Sequence, residues 1–114
     1  MLPKENRVSS DFDFKRIRRL GSPYHSPYFS LTVLKEKDAD PSRFGFVISS
    51  RVSKRAVKRN RIKRLIRTEV EELLPRLAPG YWAVFWIKPK ALEAEPGPLR
   101  DSVSQTLRKA GLLN

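Results

Sequence analysis

The residues best equipped for chemistry lie between Arg51 and Arg67. Nine of these seventeen are basic (Arg51, Lys54, Arg55, Lys58, Arg59, Arg61, Lys63, Arg64 and Arg67) and none is acidic. Six are arginine and three lysine. Arginine presents a planar fork of donors that can grip a phosphate or a base edge with two bonds, whereas lysine is a point charge. Asn60 sits inside the run, and its amide could read a base edge or a 2′-hydroxyl. This is chemistry of recognition, not of bond breaking. The chain has no cysteine and one histidine, His25. Disulfides, thiolate nucleophiles and multi-histidine metal sites are therefore excluded. His25 reads as a loop residue, and Glu69, Glu71 and Glu72 as a solvated helix face. No carboxylate cluster or histidine pair suits hydrolysis, so no catalytic residue and no metal ligand is expected in this chain.

The charge is focused. Across 114 residues, 24 Lys and Arg against 12 Asp and Glu give +12. Outside the seventeen-residue window, 15 basic and 12 acidic residues leave only +3. A milder cluster is Lys15, Arg16, Arg18 and Arg19. Solubility alone would ask for mixed signs spread around the surface; such focusing asks for a polyanion. The longest apolar run, Tyr81 to Ile87, has seven residues, where a membrane span needs about twenty. The opening MLPKENRVSS has no apolar stretch of the signal-peptide kind. One soluble domain over 1–114, cytoplasmic and without a membrane partner, is the expectation.

The elements that must hold the run can be placed. Residues 1–10 read as an extended lead-in. Ser10 is a good N-cap for a helix over 11–20, acidic first and basic last, which suits the helix dipole, with Gly21 ending it. Two prolines and two serines make 22–27 a loop. Alternation makes 28–35 a strand, with Phe29, Leu31 and Val33 on one face, and 43–49 a second. A polar connection over 35–42 suggests that the two form an antiparallel hairpin. Ser53 is the expected N-cap of a long helix to about Leu74, with an apolar stripe of Ile62, Leu65, Ile66, Val70 and Leu73. The stripe fades toward the N-terminus, where Lys58 and Arg59 replace its members, so that end should border a ligand. Residues 81–88 are apolar on both faces, as in a covered central strand. A proline-rich loop with a helical turn near 91–94 leads to a last helix over 99–111. The order gives a single-domain α+β two-layer sandwich.

Cations at a helix N-terminus oppose its half positive charge, which favours an anion bound there. A short recognition helix after a tight turn would favour DNA, and no helix-turn-helix spacing is visible; RNA is the expected partner.

Three motifs carry a resemblance. Phe44-Gly45-Phe46-Val47-Ile48-Ser49, Lys54-Arg55-Ala56 and Arg59-Asn60-Arg61-Ile62-Lys63-Arg64-Leu65-Ile66-Arg67 resemble the protein subunit of bacterial ribonuclease P, whose hallmark is Arg-Asn-Arg. Phe12-Asp13-Phe14-Lys15 through Gly21, Tyr28-Phe29-Ser30-Leu31 and Trp86-Ile87-Lys88-Pro89 extend the likeness over most of the chain. The resemblance implies a fold shared with a domain of a small-subunit ribosomal protein, with an uncommon left-handed βαβ crossover through the long basic helix. It implies a ribonucleoprotein that removes the 5′ leader of precursor tRNA, with catalysis by the RNA and its magnesium ions. The protein itself would hold no cofactor and be a monomer outside the holoenzyme.

Two surfaces are implied. Arg55, Arg59, Asn60, Arg61 and Lys63 would face the catalytic RNA. Phe14, Arg18, Ser30, Thr32, Arg51, Asn60, Arg64, Arg67 and Trp86 would line a cleft for the single-stranded leader. Arg18 and Thr32 stand where many members carry aromatics, so charge should matter more here than stacking. Trp86 lies opposite in phase to Phe85 and Ile87, and it could supply a stacking platform or simply be core. Phe14 carries the same two readings. A structural RNA-binding protein of ribosomal type and a protein-only nuclease are the competing functions, and the second lacks an acid–metal constellation.

Overall fold

The computed structural model describes residues 2–36 and 40–114. Part of the polar connection expected over 35–42 therefore lies outside the described residues. The first helix, α1 (Asp11–Leu20), carries Asp11 and Asp13 in its first turn and Arg18 and Arg19 in its last. Ser10 caps it, its Oγ accepting the Asp13 amide at 3.1 Å. Gly21 ends the helix by closeness. A Cβ there would meet the Ile17 carbonyl oxygen and Thr32 Cγ2 at 2.6 Å each.

The chain passes directly into β1 (Ser22–His25), which pairs antiparallel with β2 (Phe29–Lys35). The loop expected over Ser22–Pro27 is thus corrected. β1 is an edge strand, and at an edge a proline need not break a ladder. Then follow β3 (Arg43–Val47), α2 (Ala56–Leu73), β4 (Tyr81–Ile87) and α3 (Pro96–Lys109).

Strand order is β1-β2-β4-β3. The expected hairpin of β2 with β3 does not form, because β4 lies between them. It runs antiparallel to β2 and parallel to β3. The reason is burial. β4 is apolar on both faces, so its favourable place is the centre, and α2 carries the chain from β3 back to it as a βαβ unit. The expected α+β fold class is found.

On one face the sheet is covered by α2 and α3. Phe29, Leu31, Phe44 and Phe85 pack there on Ile62, Ile66 and Val70 of α2 and Leu99, Val103 and Leu107 of α3. Each such buried side chain contributes about 1.5–3 kcal/mol. Phe85 meets Phe29 edge-on at 5.0 Å and stacks on Phe46 at 5.4 Å. The lead-in belongs to this body as well. Leu2 is buried in the core, and Arg7 bridges β3 at Phe44.

Ser53 does not cap α2, which begins three residues later with Arg55 at the cap position and no side-chain cap bond. Ser53 is engaged in the preceding loop. Its Oγ accepts the Arg55 amide at 3.2 Å, and its carbonyl accepts Arg59 Nη1–H at 2.6 Å. The first buried residue of α2 is Ile62, so its opening turns bury no apolar side chain. No helix among the described residues is long and apolar enough to cross a membrane.

Candidate nucleic-acid interface

The other face of the sheet carries α1 and the lead-in residue Val8, and three cross-strand rows explain its layout. The middle row is Pro23, Thr32, Val84 and Gly45. It is the seat of α1: Ile17 is fully buried on Val84, and Phe14 lies against Gly45, where a Cβ would come within 2.5 Å of the ring. One outer row is His25, Ser30, Trp86 and Val47. The other is Leu34, Trp82 and Arg43. Only residues small enough to admit a helix occupy the middle, so the large side chains stand on either flank.

The Trp86 flank is a groove of about 330 Å³ lined by Asp11, Phe14, Lys15, Arg18, Val47 and Trp86. Trp86 is half-buried and faces this groove, away from the Phe85 core. Its indole N–H donates to Thr32 Oγ1 at 3.1 Å, and the Arg18 guanidinium lies 5.3 Å from the ring centre. Such a cation–aromatic contact is worth about 0.5–1 kcal/mol where exposed. Thr32 was expected to line the cleft, and this needs correcting. It is only 7% exposed, so it acts by holding the indole. Ser30 is half-buried with its Oγ 3.0 Å from His25 Nδ1. His25 is correspondingly a strand residue beside the groove, not a loop residue. Sequence reading missed it because β1 was hidden by its proline.

Phe14 is shared with a second groove of about 210 Å³, whose lining includes Arg7, Gly45, Lys63 and Arg67. Phe14 thus lies between Lys63 and Arg67 in one groove and Arg18 and Trp86 in the other. Lys63, grouped by resemblance with the catalytic-RNA contacts, lines the second groove beside Arg67. Arg61 lies on the opposite flank of α2, with Lys58 and Leu92. Asn60 and Arg64, one turn apart, are exposed, as are Arg51 and Arg55. Arg59 is half-buried by its bond to Ser53. Lys15 was also missed. Its signal was its place in the minor basic cluster, one helical turn from Arg18 and Arg19.

The far end of α2 holds Glu69, Glu71 and Glu72. Burial raises the Glu69 carboxyl above its ordinary value; Glu72 and Asp101 push the same way, and Arg100 opposes them. Among the described residues no group of three or more His, Cys, Asp or Glu side chains could hold a metal ion. The basic and aromatic side chains that line the two grooves can bind an extended anion.

Known proteins resemble this chain in sequence and in fold. A sequence profile of the family described as Ribonuclease P matches residues 2–111. The ribonuclease P protein component of Microcystis aeruginosa is 38% identical over 116 residues, covering 99% of this chain and 97% of the relative. That of Chloroflexus aurantiacus is 43% identical over 108 residues, covering 94% and 78%. The solved RNase P protein of Staphylococcus aureus superposes with a TM-score of 0.88 at 24% identity, over 97% of this chain and 100% of that one, and so shares the fold. With the profile and these relatives spanning nearly its whole length, the chain belongs to the ribonuclease P protein family: it is a subunit of the endoribonuclease that matures tRNA 5′ ends, and a partner of ribonuclease P RNA.

Proposed function

We propose that the track from Lys63 and Arg67 past Phe14 to Arg18 and Trp86 holds the single-stranded leader of precursor tRNA. The exposed start of α2, with Arg55, Arg59, Asn60 and Arg61, rests on the catalytic RNA. Arg51 and Arg64 border both. Ser30 borders the groove, and Thr32 holds the Trp86 indole in place. The RNA, with magnesium ions that it holds itself, performs the hydrolysis. The protein positions the substrate, is a monomer before assembly and works in the cytoplasm.

One observation carries the reading: an aromatic ring and a guanidinium, Trp86 and Arg18, face an open groove that shares Phe14 with a groove lined by Lys63 and Arg67 of the basic helix. Single-stranded nucleic acid is bound by this combination of stacking face and positive track. The test mixes the protein with a ribonuclease P RNA and precursor tRNA at low magnesium. Protein-dependent cleavage at the mature 5′ end is expected; cleavage by the protein alone would overturn the reading. Trp86→Ala should weaken leader binding by about 1–3 kcal/mol, the usual worth of one stacked base, without early melting. Unchanged leader affinity together with a large loss of thermal stability would make Trp86 a core residue instead.

A further inference from the structure

α1 divides the open face of the sheet into two halves, and the half away from Trp86 is built in the same way. Trp82 precedes Trp86 by four residues on β4, so both rings rise from one face about 13 Å apart. α1 fills the interval with Ile17 on Val84. Trp82 is half-buried. Two guanidiniums lie near its ring: Arg16 of α1 at 4.9 Å and Arg43 of β3 at 5.3 Å from the centre. Glu36 ion-pairs with Arg16 and fixes it there. Beside Arg43 a groove of about 490 Å³ opens, lined further by Pro3, Lys4, Glu5 and Ser9.

The top of α1 joins the two halves. Lys15, Arg18 and Arg19 are exposed on its outward side, so a chain of phosphates leaving Trp86 meets cations while it crosses the helix. Beyond the helix it reaches a second ring already paired with arginine. At that end Glu5 and Glu36 offset only part of the charge of Lys4, Arg16 and Arg43. We propose that the Trp82 half is a second single-stranded RNA subsite, which takes the 5′-distal nucleotides of a long leader. The inference rests on the leader reading above and extends its track across α1.

The experiment uses the reconstituted holoenzyme and precursor tRNAs with leaders of about 4 and about 16 nucleotides, the range over which a single-stranded groove binds. Trp82→Leu removes the stacking face and keeps apolar bulk. It should lower affinity for the long leader at least about fivefold and for the short leader less than about twofold. Trp82→Phe should restore most of the loss, and Arg43→Gln, which leaves the ring in place, should lower long-leader affinity in the same selective way. Trp86→Ala should weaken both leaders. If Trp82→Leu and Arg43→Gln leave the long leader unaffected while Trp86→Ala weakens both, the second subsite is wrong and the leader groove stands. If Trp86→Ala affects neither, the leader reading itself has failed. An equal loss for both leader lengths, or the same loss on binding ribonuclease P RNA alone, would give Trp82 a role in α1 packing or in the catalytic RNA contact and overturn the subsite.

Discussion

The helices α1 and α2 carry opposite charge orders, and the contrast separates what this fold needs from what its partner needs. α1 opens on Asp11 and Asp13, closes on Arg18 and Arg19 and is capped by Ser10. α2 opens on Arg55, Lys58, Arg59 and Arg61, closes on Glu69, Glu71 and Glu72, and has no side-chain cap. The first agrees with its own dipole; the second opposes it at both ends. The packing differs too. α1 has one buried residue, Ile17, with Phe14 packed beside it in a seat of small residues, while α2 has four buried residues, all from Ile62 onward. The second half of α2 can therefore hold the helix while the first half is left with unfavourable charge, which an RNA phosphate would relieve. Local rules are kept where an element must stabilise itself and broken where a ligand completes it.

The contrast breaks most easily at Ile17. It is α1's one buried side chain, with no exposed surface. Ile17→Ala should cost about 2–5 kcal/mol through lost burial and a cavity. A thermal melt should show the loss directly. Phe14 and Arg18 ride on the same helix, so leader affinity should fall with stability, whereas α2 is expected to uncouple the two. A melting temperature within error of wild type would mean that α1 is held by its capping and charge alone.

These differences also show what the sequence made legible. The stripe from Ile62 to Leu73, the helix over 11–20 and both faces of β4 follow from periodicity, which is local information. The partner of β3 was not local. β2 and β3 are neighbours in sequence with a short polar connection, and the competitor that displaced the hairpin, β4, comes after an eighteen-residue helix. β1 was hidden because Pro23 reads as loop unless the strand is known to lie at an edge. In the site, the basic run was legible as charge, but its division between the Lys63–Arg67 flank and the Arg61 flank of α2 needed the third dimension. Trp82 and Trp86 share a face by their even spacing, a signal present in the sequence. Only the seat of α1 shows that a helix stands between them.

A pair of cap substitutions sharpens the contrast at smaller amplitude. Ser10→Ala removes a cap bond and should destabilise by about 1 kcal/mol. Arg55→Asp installs an acceptor at the uncapped start of α2 and replaces a cation with an anion favoured there, a gain of about 0.5–1 kcal/mol. Its melting temperature should therefore rise. Binding to ribonuclease P RNA should weaken, and its salt dependence should become shallower by about one unit, because one fewer phosphate is neutralised. Opposite signs for stability and affinity are the signature of a helix whose start is shaped by its ligand. If Arg55→Asp lowered both, Arg55 would be structural and the account of α2 would be wrong.

The smallest expected effect lies at the other end of α2. The Glu69 carboxyl binds its proton more tightly in the folded chain than its ordinary 4.5, chiefly through burial and then through the charge of Glu72. A carboxyl raised in this way favours the folded state most while protonated, below its unfolded value. That contribution is lost as pH rises through the folded value, so at neutral pH the ionised Glu69 is a mild liability. Glu69→Gln should accordingly raise stability at neutral pH. The side chain is half-buried and still reached by solvent, and screening limits the gain to about 0.2–0.5 kcal/mol, the scale of a like-charge pair one turn apart. Melts of the two proteins should converge in acid, where both side chains are neutral, and separate as pH climbs from the ordinary carboxylate range toward neutrality. A separation of the opposite sign at neutral pH, with Glu69→Gln the less stable protein, would mean that attraction to Arg100 outweighs desolvation and the Glu72 charge. The end of α2 would then be stabilised by its acids, and the opposition to the dipole would be confined to the basic half that faces RNA.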